Sequence, residues 1–317
     1  MKKFILLTFI FLIILSGCHL NTQEKATSHT KQTIKIGYLP ITHSANLMMT
    51  QEIQQNVDNA KYNLKLVRFN NWPDLMDALN SGKIDGASTL IELAMKSKQK
   101  GSDIKAVALG HHEGNVVMGE KGKTLSDFHD HETYHFAIPH RYSTHYLLLD
   151  EMRQKLQLSS DTFSYHEMPP AEMPAALNEG SISGYSVAEP FGALGEKLGS
   201  GHTLLHGSDI IPDAYCCVLV LRNDLISQHQ TVVQDFISDY KKAGFQMTDK
   251  EKSIEIMDKN YKQDKKVLSQ SAEWTSYGNL AIDEKGYNKI KKLVDEKKLF
   301  KAPNYKDFVD PTLYKEG

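Results

Sequence analysis

Two short loops carry the side chains best suited to grip a polar solute. One is Pro40–Ser44 in the run IGYLPITHSANL, the other His140–His145 in FAIPHRYSTHYL. Each follows an apolar stretch with strand character and passes through a serine into a stretch with helix character. Ser44 and Ser143 are placed to cap those helices, and with Thr42, His43 and Thr144 they set polar side chains where a helix start favours negative charge. Arg141 adds a planar fork that matches carboxylate, sulfonate or nitrate oxygens. Capping alone would also account for the serines, and a surface or inter-lobe ion pair would account for Arg141. A helix terminus contributes ~0.3–2 kcal/mol toward an anion, against about 8 kcal/mol for micromolar affinity. Hydroxyls, Arg141 and desolvation must supply the remainder.

Further candidates stand at the ends of other apolar runs. Ser88 and Thr89 close one, Glu189 before Pro190 closes another, and His111 and Glu113 close a third. Trp72 opens a helix after an Asn pair, where its indole would wall a cleft and donate one hydrogen bond, or simply fill a core. Glu92, Glu113 and Glu189 would oppose a bare anion but suit a zwitterion such as taurine, whose ammonium needs a carboxylate. Histidine is plentiful, 14 in the chain, with His129, His131, His135, His140 and His145 close in sequence. They lie in differing loops without a matching Cys, so no metal site is assigned. No nucleophile elbow, Gly-rich phosphate loop or HExxH occurs, and no catalytic residue or cofactor is assigned.

The elements that must position these groups repeat. ALNSGKIDGAS (Ala78 to Ser88) is echoed by ALNEGSISGYS (Ala176 to Ser186), about forty residues after each Pro-bearing loop. In both, a helix ends at Asn-x-Gly and a strand follows. Strands are expected at Ile34–Tyr38, Leu64–Phe69, Ile84–Ala87, Ile104–Leu109 and Asn115–Gly119. The alternation with helices restarts at His135–Ile138 and runs to a fully apolar strand at Cys216–Leu221, which argues for mostly parallel sheets. Beyond it the pattern is helical. Val232, Val233, Phe236, Ile237 and Tyr240 recur at helical spacing and read as core. Cys216 and Cys217, as neighbours on a strand, should point to opposite faces and remain free buried thiols.

Met1, Lys2 and Lys3 precede an apolar run from Phe4 to Leu15, and Leu15-Ser16-Gly17-Cys18 follows at once. The run is well short of the ~18 residues of a membrane span, so a cleaved export signal over residues 1–17 is expected. Residues 18–33 are polar and suit a flexible tether. The chain has 317 residues and a net charge of −2 from 37 basic and 39 acidic side chains. That leaves no global field for nucleic acid.

The segments YLPITHSANL, FNNWPDLMDALNSGKIDGAS, IPHRYSTHYLLL, MPPAEMPAALNEG, VAEPFGA and DAYCCVLVLRNDL, in this order, resemble solute-binding lipoproteins of ABC importers. The group is the nitrate, sulfonate, taurine and bicarbonate-binding family, which shades into binders of thiamine-pyrimidine precursors. The resemblance implies a bilobal, type II periplasmic-binding-protein-like α/β fold with two parallel-rich sheets. Lobe I would comprise 34–116 and 218–317, and lobe II 117–217. It implies acylation of Cys18, anchorage on the outer face of a bacterial cell membrane, and partnership with a permease and an ATPase. The expected ligand is a small oxyanion, sulfonate or zwitterion held by Thr42, His43, Ser44, Trp72, Ser88, Thr89, His111, Glu113, Arg141, Ser143, Thr144 and Glu189. The alternative is a pyrimidine stacked on Trp72, Tyr142 and Tyr185; a metal binder or an enzyme ranks below both.

Overall fold

The computed structural model describes residues 31–314. The expected signal peptide, Cys18 and nearly all of the tether lie outside the described residues. In chain order the strands are β1 (Gln32–Tyr38), β2 (Tyr62–Arg68), β3 (Gly86–Leu90), β4 (Ile104–Leu109), β5 (His112–Glu113) and β6 (Asn115–Glu120). They continue with β7 (Tyr134–Ile138), β8 (Phe163–Glu167), β9 (Gly184–Ala188), β10 (Gly201–His206), β11 (Cys217–Arg222) and β12 (Thr275–Ser276). Two five-stranded sheets result, ordered β2-β1-β3-β11-β4 and β10-β6-β9-β7-β8, beside a small β12-β5 pair.

The sequence echo is an echo of topology. In the first sheet β1 pairs in parallel with β2 and β3, and β11 runs antiparallel between β3 and β4. In the second, β7 pairs in parallel with β8 and β9, and β6 runs antiparallel between β9 and β10. Each antiparallel strand is thus the one by which the chain enters that sheet from the other. β6 follows the four strands of the first set, and β11 returns after the second.

The repeated glycines explain themselves in this register. Gly86 faces Ile36 and Gly184 faces Phe136 across the parallel pairs. A Cβ on Gly86 would sit 2.6 Å from the Val220 carbonyl oxygen, and one on Gly184 would sit 2.5 Å from that of Met118. Both repeats therefore need glycine where the antiparallel strand passes closest. The preceding helices, Trp72–Asn80 and Met173–Asn178, end alike. Gly82 and Gly180 take φ of +73° and +69°, and the next residue donates back to Ala78 and Ala176 respectively.

Two local expectations change. Ser143 caps its helix, Thr144–Lys155, by accepting from the Tyr146 N–H at 3.2 Å, but Ser44 does not cap Ala45–Gln55. A 3₁₀ turn at Thr42–Ser44 carries the chain into that helix with Ser44 already in the helical region, so its hydroxyl turns back to the Ile41 carbonyl and to Tyr261. The sulfurs of Cys216 and Cys217 do not diverge. The strand begins only at Cys217, and the two sulfurs lie 3.5 Å apart, both free and buried.

Candidate functional site

Where the loops after β1 and β7 approach the crossing strands, polar side chains from both sheets meet in the interior. Thr42, His43, Ser88, Thr89, Glu92, Thr144, His145, Ser186 and Glu189 are each at most 1% exposed. The halves touch through Thr42, whose N–H donates to the Glu189 carbonyl at 2.8 Å, and through Thr144 and Glu92, whose side-chain oxygens lie 2.6 Å apart. The His43 ring meets Trp72 edge-on at 5.6 Å. His145 Nε2 stands 4.0 Å from Cys216 Sγ, and the backbone N–H of Ile91 and of Gly110 hold the carbonyls of Cys216 and Cys217 at 2.8 and 2.9 Å.

Many of these buried atoms have no partner. They include Thr42 Oγ1, both ring nitrogens of His43, Trp72 Nε1, Glu92 Oε2, His111 Nε2, Asn115 Oδ1, His145 Nδ1, Ser186 Oγ and Glu189 Oε1. An unmet buried polar atom costs about 1–3 kcal/mol, and natural interiors carry only a few. Their concentration between the two sheets makes this interior the candidate site.

The electrostatics are unusual for an anion site. Among the described residues no lysine or arginine is buried. Burial pushes Glu92 up to about 7, opposed by the Thr144 hydroxyl, and pushes Glu189 up to about 7, opposed by the Ser271 hydroxyl and the Ala193 N–H. Burial brings His111 down to about 4, and burial followed by the nearness of His111 holds His43 well below its ordinary value. At neutral pH these two imidazoles are uncharged, each with one N–H donor and one acceptor.

Thr144 adds a constraint. Its hydroxyl lies 2.6 Å from Glu92 Oε1 and 2.7 Å from the Tyr215 carbonyl oxygen. The Thr144 hydroxyl is thus shared between the Glu92 carboxyl and the Tyr215 carbonyl, two acceptors for one hydrogen.

Of the sequence candidates, Thr42, His43, Trp72, His111, Thr144 and Glu189 join this interior. Ser44 and Ser143 are buried beside it with their hydroxyls committed, Ser143 to the His140 carbonyl. Ser88 reaches the His43 carbonyl at 3.4 Å, and Thr89 makes a weak contact with Met76 sulfur. Glu113 is exposed; it lines a 620 Å³ depression with Tyr215, Asp283 and Lys289. Arg141 is also exposed and must be moved out of the site. Its guanidinium lies over the Tyr146 ring at 4.9 Å, and its N–H donates to Glu167. The stacking walls fail likewise: Tyr185 is a core residue donating to the Phe191 carbonyl, and Tyr142 packs edge-on against Phe300. No group of three or more His, Cys, Asp or Glu among the described residues is arranged to hold a metal ion.

Besides Glu92 and His145, which the sequence set near the site without naming them as ligand residues, Asn115, Ser186 and Ser271 contribute unannounced. Glu92 was visible as an acid inside the apolar run TLIELAM. His145 follows Thr144 directly. Ser271, which donates to Glu189 Oε2 at 2.7 Å, comes from the helix Lys265–Trp274 and gave no sequence signal.

Comparison with known proteins adds four findings. Residues 27–258 match the model of the NMT1-like family. A solved structure from Staphylococcus aureus, described as the zinc-bound ligand binding component of an ABC-type import system, is 66% identical. It covers 90% of this chain and 99% of its own, with a TM-score of 0.89. The periplasmic nitrate-binding protein NrtA from Synechocystis PCC 6803 covers 90% of this chain and 88% of its own at 16% identity and a TM-score of 0.78, a likeness of fold. Among curated relatives, the bicarbonate transport ATP-binding protein CmpC of Synechocystis is 24% identical over 63% of this chain and 32% of its own length. The chain thus spans about a third of the length of the curated relatives it matches first. The architecture is the bilobal periplasmic-binding fold, with two sheets and helices about an inner cleft.

Proposed function

The chain belongs to the NMT1-like family, and from that premise we propose that it is the extracytoplasmic solute-binding lipoprotein of an ABC importer. It captures a small sulfonate, oxyanion or zwitterion between its halves and hands it unchanged to a permease driven by an ATPase. Cys18 is the site of acylation, and with the following residues as tether it holds the protein at the outer face of the membrane. Lobe I is 34–116 with 218–317, and lobe II is 117–217.

One observation carries the ligand reading: orphaned polar atoms from both sheets meet beside two buried carboxyl groups, Glu92 and Glu189, with no buried lysine or arginine among the described residues. Uncharged imidazoles, the Trp72 indole and Thr42 supply donors for sulfonate oxygens. Glu92 supplies the counter-charge for an ammonium. A zwitterion such as taurine uses both, whereas bare nitrate would face Glu92 and Glu189 without a compensating charge. Relatives described as binding nitrate and aliphatic sulfonates frame the same solute range.

Closure follows from the same contacts. A solute touching both halves stabilises the closed form by its differential affinity alone. The test is a thermal-shift panel on the purified protein with taurine, ethanesulfonate, nitrate, bicarbonate, hydroxymethylpyrimidine and zinc. Taurine at a hundred times its Kd should add about 2.7 kcal/mol of stability. A shift with the pyrimidine or zinc alone would replace this reading.

A further inference from the structure

Cys216 and Cys217 are not needed for the capture of a solute as derived above, yet they occupy a sensitive place. The pair sits where the chain re-enters the first sheet, with one sulfur beside His145 of the second half and the two sulfurs 3.5 Å apart. We propose that Cys216 is an oxidation site and Cys217 its resolving partner, so that hydrogen peroxide converts the dithiol to a vicinal disulfide that weakens solute capture.

The chemistry balances in two steps. The Cys216 thiol attacks peroxide, the O–O bond breaks, and Cys216 sulfenic acid and one water form. The Cys217 sulfur then displaces the hydroxyl, giving the S–S bond and a second water. Two electrons leave the dithiol, and the peroxide takes them. The contact with Cys217 and burial hold the Cys216 thiol well above its ordinary value, so the proposed reaction requires the halves to part. Parting of the halves wets Cys216 and removes it from under His145.

The consequence follows from what holds the two residues. A disulfide needs sulfurs about 2.05 Å apart, and its Cα atoms usually lie at ~4.4–6.8 Å, whereas adjacent residues are fixed near 3.8 Å. Forming the bond must twist the 216–217 peptide. Its carbonyls are pinned by Ile91 and Gly110, and the Tyr215 carbonyl just before it meets Thr144. At least one of these contacts must yield, and the one with Thr144 joins the halves. The strain also makes the bond easily reduced, which fits a reversible switch and not a structural staple.

The claim about capture rests on the solute-binding reading; the oxidation site does not. The experiment treats the ligand-free protein with hydrogen peroxide, alkylates under denaturing conditions, and maps the peptide carrying residues 216 and 217. That peptide is expected to resist alkylation, to be lighter by two hydrogens, and to regain both thiols with a phosphine reductant. In Cys217→Ser, the sulfenic acid at Cys216 should be trapped by dimedone. Taurine titration should then show at least about ten-fold weaker binding to the oxidised protein than to the reduced. Two alkylated cysteines after peroxide would overturn the proposal, and a disulfide with unchanged taurine affinity would overturn its effect on capture. Taurine failing to bind even the reduced protein would sink the functional reading, with the peptide map still deciding the oxidation site.

Discussion

Thr144 Oγ1 lies 2.6 Å from Glu92 Oε1, a contact between the two halves in which neither side chain meets solvent. Thr144 also reaches the Tyr215 carbonyl at 2.7 Å, while burial raises the Glu92 carboxyl to about 7. On the proposed zwitterion reading, an ammonium beside Glu92 would favour the carboxylate to which Thr144 donates.

Glu92→Gln should separate stability from binding. Folding raises the Glu92 value from 4.5 to about 7, so its destabilising effect is absent below 4.5, grows as pH rises between the two values, and is complete above 7. At pH 8 the Gln variant should be more stable than the parent by about 3 kcal/mol, an upper figure from the size of the shift. At pH 4 the two should match. Taurine affinity should fall by roughly 2 kcal/mol, because an ammonium loses one of the two buried carboxyl groups it can pair with. Urea denaturation at both pH values and calorimetric titration check the two halves of this prediction.

Taurine binding should release a proton near neutrality. The bound ammonium lowers the Glu92 value from about 7, so affinity rises with pH toward 7 and levels off above it. Titration in buffers of different ionisation enthalpy reads the proton directly. Uptake of a proton, or affinity that falls as pH rises to 7, would contradict the assignment.

Arg141→Ala should leave taurine affinity within about two-fold, because a solvent-exposed cation over Tyr146 contributes ~0.5–1 kcal/mol at its own site and none to the cleft. A loss of a hundred-fold in the same titration would return Arg141 to the ligand.

Gly184→Ala and Gly86→Ala should each destabilise the fold by about 1–3 kcal/mol, measured by urea denaturation, since the new Cβ meets a strand carbonyl that cannot move alone. Gly180→Ala tests a different cause, since nothing lies near its Cβ and only the positive φ resists. It should cost about 1 kcal/mol.

The repeat was legible because the same physics acts twice. Asn-x-Gly ends a helix and a glycine admits the antiparallel strand, and both leave a residue-level mark in each copy. Strand β3 was placed about two residues early, because the buried Ile84 precedes the start of pairing at Gly86. The helix Lys265–Trp274 was missed. It buries only Val267, Leu268, Ser271 and Ala272, too few large apolar side chains to show a period. Its Ser271, the partner of Glu189, was lost with it. Arg141 was misplaced for another reason: a loop's sequence gives the helix it starts but not which way a long side chain leaves it, and Arg141 lies down on Tyr146, one turn along. Glu92 was legible as an acid near the solute, but its burial and its contact with Thr144 of the other half were not.

The most direct test is calorimetric titration of the protein with taurine and, under the same conditions, with ethanesulfonate, which keeps the sulfonate and lacks the amine. Taurine should bind at one site per chain, and ethanesulfonate at least about ten-fold more weakly, the loss expected when Glu92 has no ammonium to meet. Equal affinity for the two, or tighter binding of ethanesulfonate, would contradict a cleft that pairs its buried carboxyl group with the solute.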